Sequence, residues 1–488
     1  MNSTKKYYFG IDFGTTNSAL VGYSSDKTKT KYGEKGLPIP STVAIDKTTG
    51  NIYIGREARD KRIQLREHCR YFHSIKTILD SEEIYKIAGK NWTPTDIVSE
   101  IFKYLKANVK KSNELEMTDA LVSIPIGFNP IKRERLRQAA AKAGIEIISF
   151  VSEPTAAFFA NYEQLKSSAQ VAIFDWGGGT LDVSIIRHAD GKIFEIATAG
   201  MNIAGDYIDE KIAERIHEKI NRKKKLNIAF EDMPAVDRDN ILSRAESAKI
   251  ILSDDDEATI TLNRYGNYGA CREILEYDWF KDIIAPEVKR AIECLDDAIK
   301  KSGVGIANID KIVMVGGSSN LRPLIEKMRE KYGDKLFFPE ETMWNVGEGA
   351  ALLAMSPGVY RSNQSLGILL STGDYYELLA RGDSIKNWQR KCNFGVVDTT
   401  EQARFIFAAK EGIDGNIIST EGFKTLELPN YKFLQEQIEV TASIDSNMIF
   451  RVEAKSNMQP KEYRRFWEYD KLKFYYQLPM RWENVQQR

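Results

Sequence analysis

Short apolar runs alternate with amphipathic stretches over the first 354 positions of the chain. Val171–Phe174 and Ile312–Val315 have the length and composition of buried strands, whereas Thr95–Lys110 carries apolar residues at helical spacing. Further helices are expected at Glu57–His68 and Arg322–Tyr332. Strands that alternate with helices are typical of α/β domains, so we predict an α/β domain over residues 1–354.

The pattern changes after Pro357. From Ser365 on, short runs of alternating apolar and polar residues are separated by Gly and Pro turns, which is typical of a β-sandwich. We predict a linker at 355–364 and a sandwich domain at 365–456. The aromatic-rich tail, 457–488, alternates like a strand at Leu472–Leu478. Two interpretations of the tail stay open, an extra strand that completes the sandwich core and a cover or partner interface.

Two stretches of the α/β part share one order: strand, Asp, any residue, Gly, tight turn with Thr, strand. They are Gly10–Ser18, with Asp12, and Val171–Ile186, with Asp175. Such a turn points backbone N–H groups into a concavity that binds phosphate, and an aspartate beside it suits hydrated Mg²⁺. Because the two copies lie about one domain length apart, they predict a duplicated domain with a nucleoside triphosphate site.

Two isolated charged residues leave alternatives open. Lys76 lies in an otherwise apolar segment, either as a lysine whose stem follows the surface or as one aimed at a γ-phosphate. Glu153 precedes Pro154 where a strand meets a helix, so it is either a favourable charge at a helix N-terminus or a carboxylate that faces a cleft. The pattern alone does not separate these interpretations.

The composition limits which classes of binding partner we expect. The 488 residues include 69 Lys plus Arg and 69 Asp plus Glu, so no net charge favours nucleic acid or an anionic membrane surface. The four cysteines and four histidines have no metal-ligand spacing. No apolar run has the length of a signal-peptide core or a membrane span. We expect a cytoplasmic protein with no nucleic-acid or membrane partner.

Taken as an ordered set, five motifs resemble the actin-like ATPase superfamily and, within it, the seventy-kilodalton heat-shock (DnaK-type) chaperones. They are Gly10–Ser18, Glu153–Ala157, Asp175–Asp182, Glu246–Ser253 and Val315–Ser319. The resemblance implies an α/β, two-lobed actin-like ATPase domain with duplicated ribonuclease-H-like lobes, followed by a β-sandwich. It also implies slow Mg-dependent hydrolysis of ATP to ADP and phosphate.

The same resemblance implies the site residues. Catalysis would fall to Asp12, Lys76, Glu153, Asp175 and Thr180, with Asp12, Asp175 and Glu153 holding Mg²⁺ through waters. Lys76 would orient the attacking water or the γ-phosphate. The nucleotide would be bound by Gly14, Thr15, Thr16, Asn17, Gly177, Gly178, Gly179, Gly205, Glu246, Lys249, Ser253, Gly316, Gly317 and Ser318.

The resemblance therefore implies a chaperone-like ATPase whose nucleotide state alters how the β-domain binds unfolded or extended polypeptide. A J-domain protein and a nucleotide-exchange factor would be further partners. The segment 356–364 lacks the acid-flanked leucines of the family's linker, and we expect no long helical lid after residue 456. An alternative is thus a nucleotide-gated scaffold for one dedicated protein partner, with little or no turnover. Ser365–Ile368, Ile438–Val440 and Val452–Ala454 resemble the family's peptide-binding β-domain, and a small-molecule kinase is disfavoured because these motifs have no place in one.

Overall fold

The structure is a computed structural model that describes residues 6–65, 67–395, 402–411, 417–427, 436–470 and 472–479; the side chains of 63, 411, 417–424 and 427 are outside the description. The chain divides into two compact units. Unit 1 holds the described residues up to Phe128, Arg135–His188 and Glu195–Ser356, and unit 2 holds Asn129–Glu134, Ala189–Phe194 and the described residues from Pro357 on.

The strands of the chain up to Ser356 are β1 (Tyr7–Phe13), β2 (Asn17–Ser24), β3 (Lys29–Lys31), β4 (Ile39–Pro40), β5 (Val43–Asp46), β6 (Ile52–Ile54), β7 (Cys69–Phe72), β8 (Tyr85–Ile87), β9 (Lys90–Trp92), β10 (Asp119–Ile124), β11 (Glu146–Ser152), β12 (Gln170–Trp176), β13 (Leu181–Ala189), β14 (Lys192–Met201), β15 (Glu257–Leu262), β16 (Cys271–Glu276), β17 (Lys311–Val315) and β18 (Leu336–Phe337). The α-helices are α1 (Gly55–Asp60), α2 (Arg62–Leu65), α3 (Pro94–Asn113), α4 (Pro130–Lys142), α5 (Glu153–Ala160), α6 (Tyr162–Leu165), α7 (Gly205–Lys224), α8 (Ala235–Ile251), α9 (Tyr277–Ser302), α10 (Arg322–Tyr332) and α11 (Asn345–Met355). Short 3-10 helices lie at Ile75–Ile78, Ile306–Asn308, Gly317–Asn320 and Gly333–Lys335.

Two sheets of unit 1 repeat one topology. The first has the strand order β11-β10-β1-β2-β3, and the second β18-β17-β12-β13-β14. In each, an antiparallel hairpin is joined to a parallel neighbour, so Asp12 pairs with Ala19 and Ser123 while Asp175 pairs with Asp182 and Val315. The two aspartates therefore occupy the same place in two copies of one fold.

One predicted helix is divided in the structure. Instead of Glu57–His68, two short helices, α1 and α2, meet at Lys61. At the start of α2, Arg62 forms an ion pair with Asp239 of α8, with 2.9 Å between Nη2 and Oδ1. This partner is distant in sequence, so the local spacing of apolar residues carried no sign of the break.

Helix α11 packs against β1, β2 and α5 at backbone distance. A Cβ on Gly349 would overlap the carbonyl oxygen of Ala156 and lie 2.5 Å from its carbonyl carbon. A Cβ on Gly10 would lie 2.6 Å from the carbonyl oxygen of Gly347. Glycine is required at these positions because the neighbouring atoms are backbone and cannot turn away.

Unit 2 is mostly β-structure. Its strands after Ser356 are β19 (Val359–Ser362), β20 (Ser365–Leu369), β21 (Tyr375–Leu379), β22 (Gln389–Gly395), β23 (Gln402–Glu411), β24 (Ile417–Glu427), β25 (Gln437–Ile444), β26 (Phe450–Ser456), β27 (Arg464–Tyr469) and β28 (Phe474–Gln477). Two four-stranded sheets, β21-β20-β23-β24 and β22-β25-β26-β27, share one apolar core. A cavity of about 190 Å³ lies among residues of both sheets, lined by Leu366, Phe407, Phe450 and Trp467, with Glu468 and Asp470 also at its wall.

The segments predicted as linker and tail contain regular structure. Within 355–364, Val359–Ser362 is a strand, and within 457–488, β27 is an edge strand of the sandwich. Phe474–Gln477 does form a strand, but its neighbours are β19 and the first residues of β14, and not the sandwich sheets. Residues 471 and 480–488 of the predicted tail lie outside the described residues.

Among the helices that the structure describes, none is both long enough and apolar enough to cross a membrane. All four cysteines are free thiols.

Candidate active site

Four acidic side chains gather around one lysine in unit 1. Lys76, in the 3-10 helix Ile75–Ile78, is only 7% exposed, and its Nζ donates to Glu153 Oε1 at 2.9 Å. Asp12, at the end of β1, accepts a hydrogen bond from Ser123 Oγ at 2.9 Å. Asp175 and Asp182 face each other across the β12–β13 hairpin. Because Lys76 is buried against a carboxylate, the interpretation of a lysine that follows the surface does not fit.

Burial and mutual repulsion disfavour charge on these carboxyl groups. Burial raises the pKa of Asp12, of Asp182 and of Glu153, that of Glu153 to about 7, and Lys76 opposes each increase. The pKa of Asp175 is raised well above its usual value by burial and then by Glu153, Asp12 and Asp182. Burial acts to lower the pKa of Lys76, but Glu153 and Asp12 outweigh it and raise that pKa. Several carboxyl groups surround the single ammonium group of Lys76, so a bound cation would stabilise their charged forms.

The two Asp-x-Gly loops contact each other directly. A Cβ on Gly178 would overlap Oγ1 of Thr16 and lie 2.7 Å from its Cβ, and a Cβ on Gly179 would lie 2.6 Å from Cγ2 of Thr15. The sequence-predicted phosphate loops are thus brought together, and Gly178 and Gly179 allow their close approach. Thr180 closes the second loop, where its backbone oxygen accepts from the N–H of Gly177 at 3.0 Å.

The glycines of these loops are required for different reasons. Gly14 has no positive φ, but a Cβ there would overlap the carbonyl oxygen of Asn17, the first residue of β2. Gly316 does have a positive φ of 82°, and a Cβ there would lie 2.5 Å from the carbonyl oxygen of Trp176. The ring of Trp176 is fully buried, and its Nε1 donates to the carbonyl oxygen of Ile203 at 3.0 Å.

Helix α7 begins against the second loop. The N–H of Gly205 donates to Gly177 O at 3.2 Å, and that of Asp206 donates to Gly178 O at 2.7 Å. Ser318 Oγ also donates to Gly177 O, at 2.7 Å. The predicted ligands Gly205 and Ser318 are therefore beside the phosphate loop, but these two groups hold its backbone in place.

Only some of the residues predicted to hold adenosine lie close to one another. Lys249 Nζ, buried on α8, donates to Gly205 O at 3.0 Å and to Asp209 Oδ2 at 2.8 Å. Glu246, one turn earlier, forms a 2.9 Å ion pair with Arg59 Nη2 of α1. Ser253 Oγ is directed back to Lys249 O, at 3.4 Å. Gly317 has open space where a side chain would be.

Sequence reasoning missed several groups. Asp182 is the last residue of the motif Asp175–Asp182, and the register of the hairpin could have predicted its place opposite Asp175. Asp209 and Glu195 gave no local signal. Burial raises the pKa of Asp209 to about 7 against the opposing effect of Lys249. Glu195 accepts hydrogen bonds from the hydroxyls of Ser152 and Thr155 at the start of α5, the helix that carries Glu153.

The residues present fit a triphosphate with a divalent cation. Thr16 Oγ1 is buried in the loop contact without a hydrogen-bond partner, which suits a ligand oxygen or water there. The carboxylate cluster beside it favours a cation whose preferred ligands are carboxylates, waters and phosphates. Among the described residues, no three His, Cys, Asp or Glu side chains are grouped to ligate a metal directly. Mg²⁺ held through waters is compatible with this spacing.

Comparison with known proteins adds independent information. A family model described as "Hsp70 protein" matches residues 8–468. Curated relatives named "Chaperone protein DnaK" include those of Thermosipho africanus, 30% identical over 485 residues, and of Thermosipho melanesiensis, 29% identical over 483 residues. That of Thermotoga neapolitana is 29% identical over 486 residues. In each case the match covers 95% of this chain and 80% of the relative.

Proposed function

Since the chain belongs to the Hsp70 family, which agrees with its α/β part and its β-sandwich, we propose that it is a slow ATPase that acts as a chaperone. Nucleotide bound in unit 1 would control the binding of unfolded or extended polypeptide by the β-domain. The observation that carries this proposal is the direct contact of the two Asp-x-Gly loops beside Lys76 and its carboxylates. The name of the relatives, chaperone protein DnaK, supports the same functional class.

The proposed chemistry is transfer of the γ-phosphoryl group to water. As water attacks the γ-phosphorus, the bond to the oxygen that bridges to the β-phosphate breaks, and ADP leaves. Lys76 is the buried cation that faces the reacting group, and Glu153 fixes its position by the 2.9 Å hydrogen bond. The N–H groups of Thr15, Thr16 and Gly177–Gly179 and the hydroxyl of Thr180 would bind the phosphates.

Asp12, Asp175 and Glu153 would hold Mg²⁺ through waters, and the ion would supply positive charge at the phosphate oxygens. Without it, burial raises the pKa of all three carboxyl groups, and repulsion from neighbouring carboxylates adds to the increase for Glu153 and Asp175. Glu246, Lys249, Ser253 and the Gly316–Ser318 turn would lie near the adenosine.

In the β-domain, the cavity between the sheets is a candidate pocket for one apolar side chain of a client. Its lining is largely aromatic and aliphatic, and Glu468 and Asp470 lie at its wall. An extended client could also pair with an edge strand such as β27, which pairs only with β26 among the described strands.

Two measurements on the purified protein test the proposal. Release of ADP and phosphate from ATP is followed with Mg²⁺ and with chelator, and binding of several unrelated apolar peptides is titrated with ADP or ATP bound. We expect slow Mg-dependent turnover and peptide binding that ATP weakens. Tight nucleotide binding without turnover, together with failure to bind any of the peptides, would instead identify the scaffold for one dedicated partner.

Substituting Gly178 tests the contact of the phosphate loops. Gly178→Ala places a methyl group on the Thr16 hydroxyl and is expected to weaken ATP binding roughly tenfold, since the two loops must separate. Gly127→Ala is the control, because a Cβ there would meet no atom within 4 Å and Gly127 is not among the residues proposed to bind nucleotide. ATP affinity is measured by calorimetry. Equal affinities of the two variants would contradict the importance of this loop contact.

The ion pair between Arg59 and Glu246 is expected to slow nucleotide release, because it joins α1 to α8 beside the proposed adenosine site. Arg59→Gln should raise the ADP dissociation rate roughly 2- to 5-fold, the range for a partly exposed pair. Arg215→Gln, which breaks the exposed pair with Glu218, should leave the rate unchanged. Stopped-flow displacement of a fluorescent ADP analogue measures both rates.

A further inference from the structure

A four-residue strand near the end of the described chain joins two distant segments of unit 2. On one side, β28 (Phe474–Gln477) pairs antiparallel with Val359–Ser362. On its other side it pairs antiparallel with Lys192–Phe194. Only Pro357 and Gly358 separate Val359–Ser362 from Ser356, the last residue of unit 1, so this strand lies in the connection between the two units along the chain. β28 is therefore the strand that fastens this connecting segment.

The other edge of the connecting segment is covered as well. Ile385 N donates to Tyr360 O at 3.1 Å, Ser362 N donates to Asp383 O at 2.9 Å, and Gly382 N donates to Ser362 O at 2.8 Å. With both edges paired, its backbone groups have partners that they would have to exchange for water on release.

Side chains reinforce this pairing. Tyr476 is 4% exposed, its hydroxyl accepts a hydrogen bond from Gly358 N, and its ring meets that of Tyr360 edge-on at 5.0 Å. On the other side, the ring of Tyr475 lies 4.9 Å from that of Phe194. Opening this arrangement would expose two buried tyrosine rings in addition to breaking both ladders, so a closed state is strongly favoured.

We propose that Phe474–Gln477 is a strap that keeps Val359–Ser362 within unit 2 in every nucleotide state. The connecting segment is then a fixed part of the β-domain instead of a flexible tether. Any signal from the nucleotide must reach the β-domain without release of this segment. The strap is a property of the ladder and does not depend on ATP turnover or on client binding.

Hydrogen exchange of the full chain, measured by mass spectrometry, tests the strap. The amides of 359–362 are expected to be protected equally without nucleotide, with ADP and with ATP, each with Mg²⁺. Gly358→Ala would overlap Gln477 O and lie 2.7 Å from Cζ of Tyr476, so it should speed exchange of these amides roughly tenfold or more. Phe466→Ala, which removes an exposed ring on β27, should leave the exchange rate of the 359–362 amides unchanged.

Faster exchange of 359–362 in the parent protein on addition of ATP would overturn the proposal, as would unchanged protection in Gly358→Ala. A second variant avoids any loss of folding. Val359→Cys with Gln477→Cys places thiols on residues paired in register, so that oxidation closes the strap covalently. The oxidised and reduced forms should have equal turnover and an equal peptide response to ATP, and loss of either on oxidation would contradict the strap.

Discussion

Replacing Lys76 with alanine is expected to lower the turnover number for ATP roughly 100- to 1,000-fold while nucleotide binding is largely retained. The ammonium is the buried cation of the carboxylate cluster, and its bond to Glu153 directs it inward. Its charge is needed most in the transition state, where negative charge moves onto the phosphate oxygens, so the loss should fall on the turnover number more than on affinity. Single-turnover phosphate release and equilibrium ATP titration separate the two effects.

The control for this experiment is Lys61→Ala, which removes an exposed lysine that directly follows α1 and is paired with Glu57 of that helix. Its turnover should equal that of the parent. Because removing Lys76 leaves Glu153 buried without its partner, thermal unfolding must show that the variant is folded before its kinetics are interpreted. A folded Lys76→Ala variant with parental turnover would exclude Lys76 from the reaction.

Replacing Gly349 with alanine is expected to destabilise unit 1 by roughly 3 kcal/mol, at the upper end of overpacking substitutions. The added methyl group would overlap the carbonyl oxygen of Ala156, and the nearest atoms belong to the backbone of α5, the helix that also carries Glu153. Separation of α11 from α5 should therefore reduce stability and turnover together. Thermal unfolding with and without ATP measures the loss.

Gly127→Ala is the matched substitution, because a Cβ at Gly127 would meet no atom within 4 Å. It should lower the melting temperature little or not at all. If the two variants melted together, the close packing of α11 on α5 would not contribute to the stability of the protein.

Features that depend on residues close together in the sequence were predictable. Helix α10 was expected at Arg322–Tyr332 and has those bounds, because Pro323 lies in its first turn and Gly333 follows its end. The two Asp-x-Gly hairpins were recognised because strand, aspartate and glycine stand in a fixed order, and their convergence followed from the duplication that the repeat implies. The bounds of α10 and the two hairpins are each determined by residues that are close together in the sequence.

Other features depend on partners that no local pattern records. The alternation at Leu472–Leu478 predicted a strand, but pairing with Val359–Ser362 and Lys192–Phe194 is decided by tertiary contacts. Gly205 was predicted to bind the nucleotide because of the family resemblance, whereas its N–H donates to Gly177 O. The roles of Glu195 and Asp209 likewise depend on burial and on distant hydrogen-bond partners.

Trp176 stands between Asp175 and Gly177 in the second Asp-x-Gly loop, with its ring fully buried and its indole N–H donating to Ile203 O. The emission of an indole changes with the polarity and hydrogen bonding around it. The protein thus contains an intrinsic fluorophore attached to the loop that would bind the phosphates. Trp176 is one of seven tryptophans in the chain, so its response is isolated by comparing the emission change on adding nucleotide in the parent protein and in Trp176→Phe, without a dye that would disturb the loop.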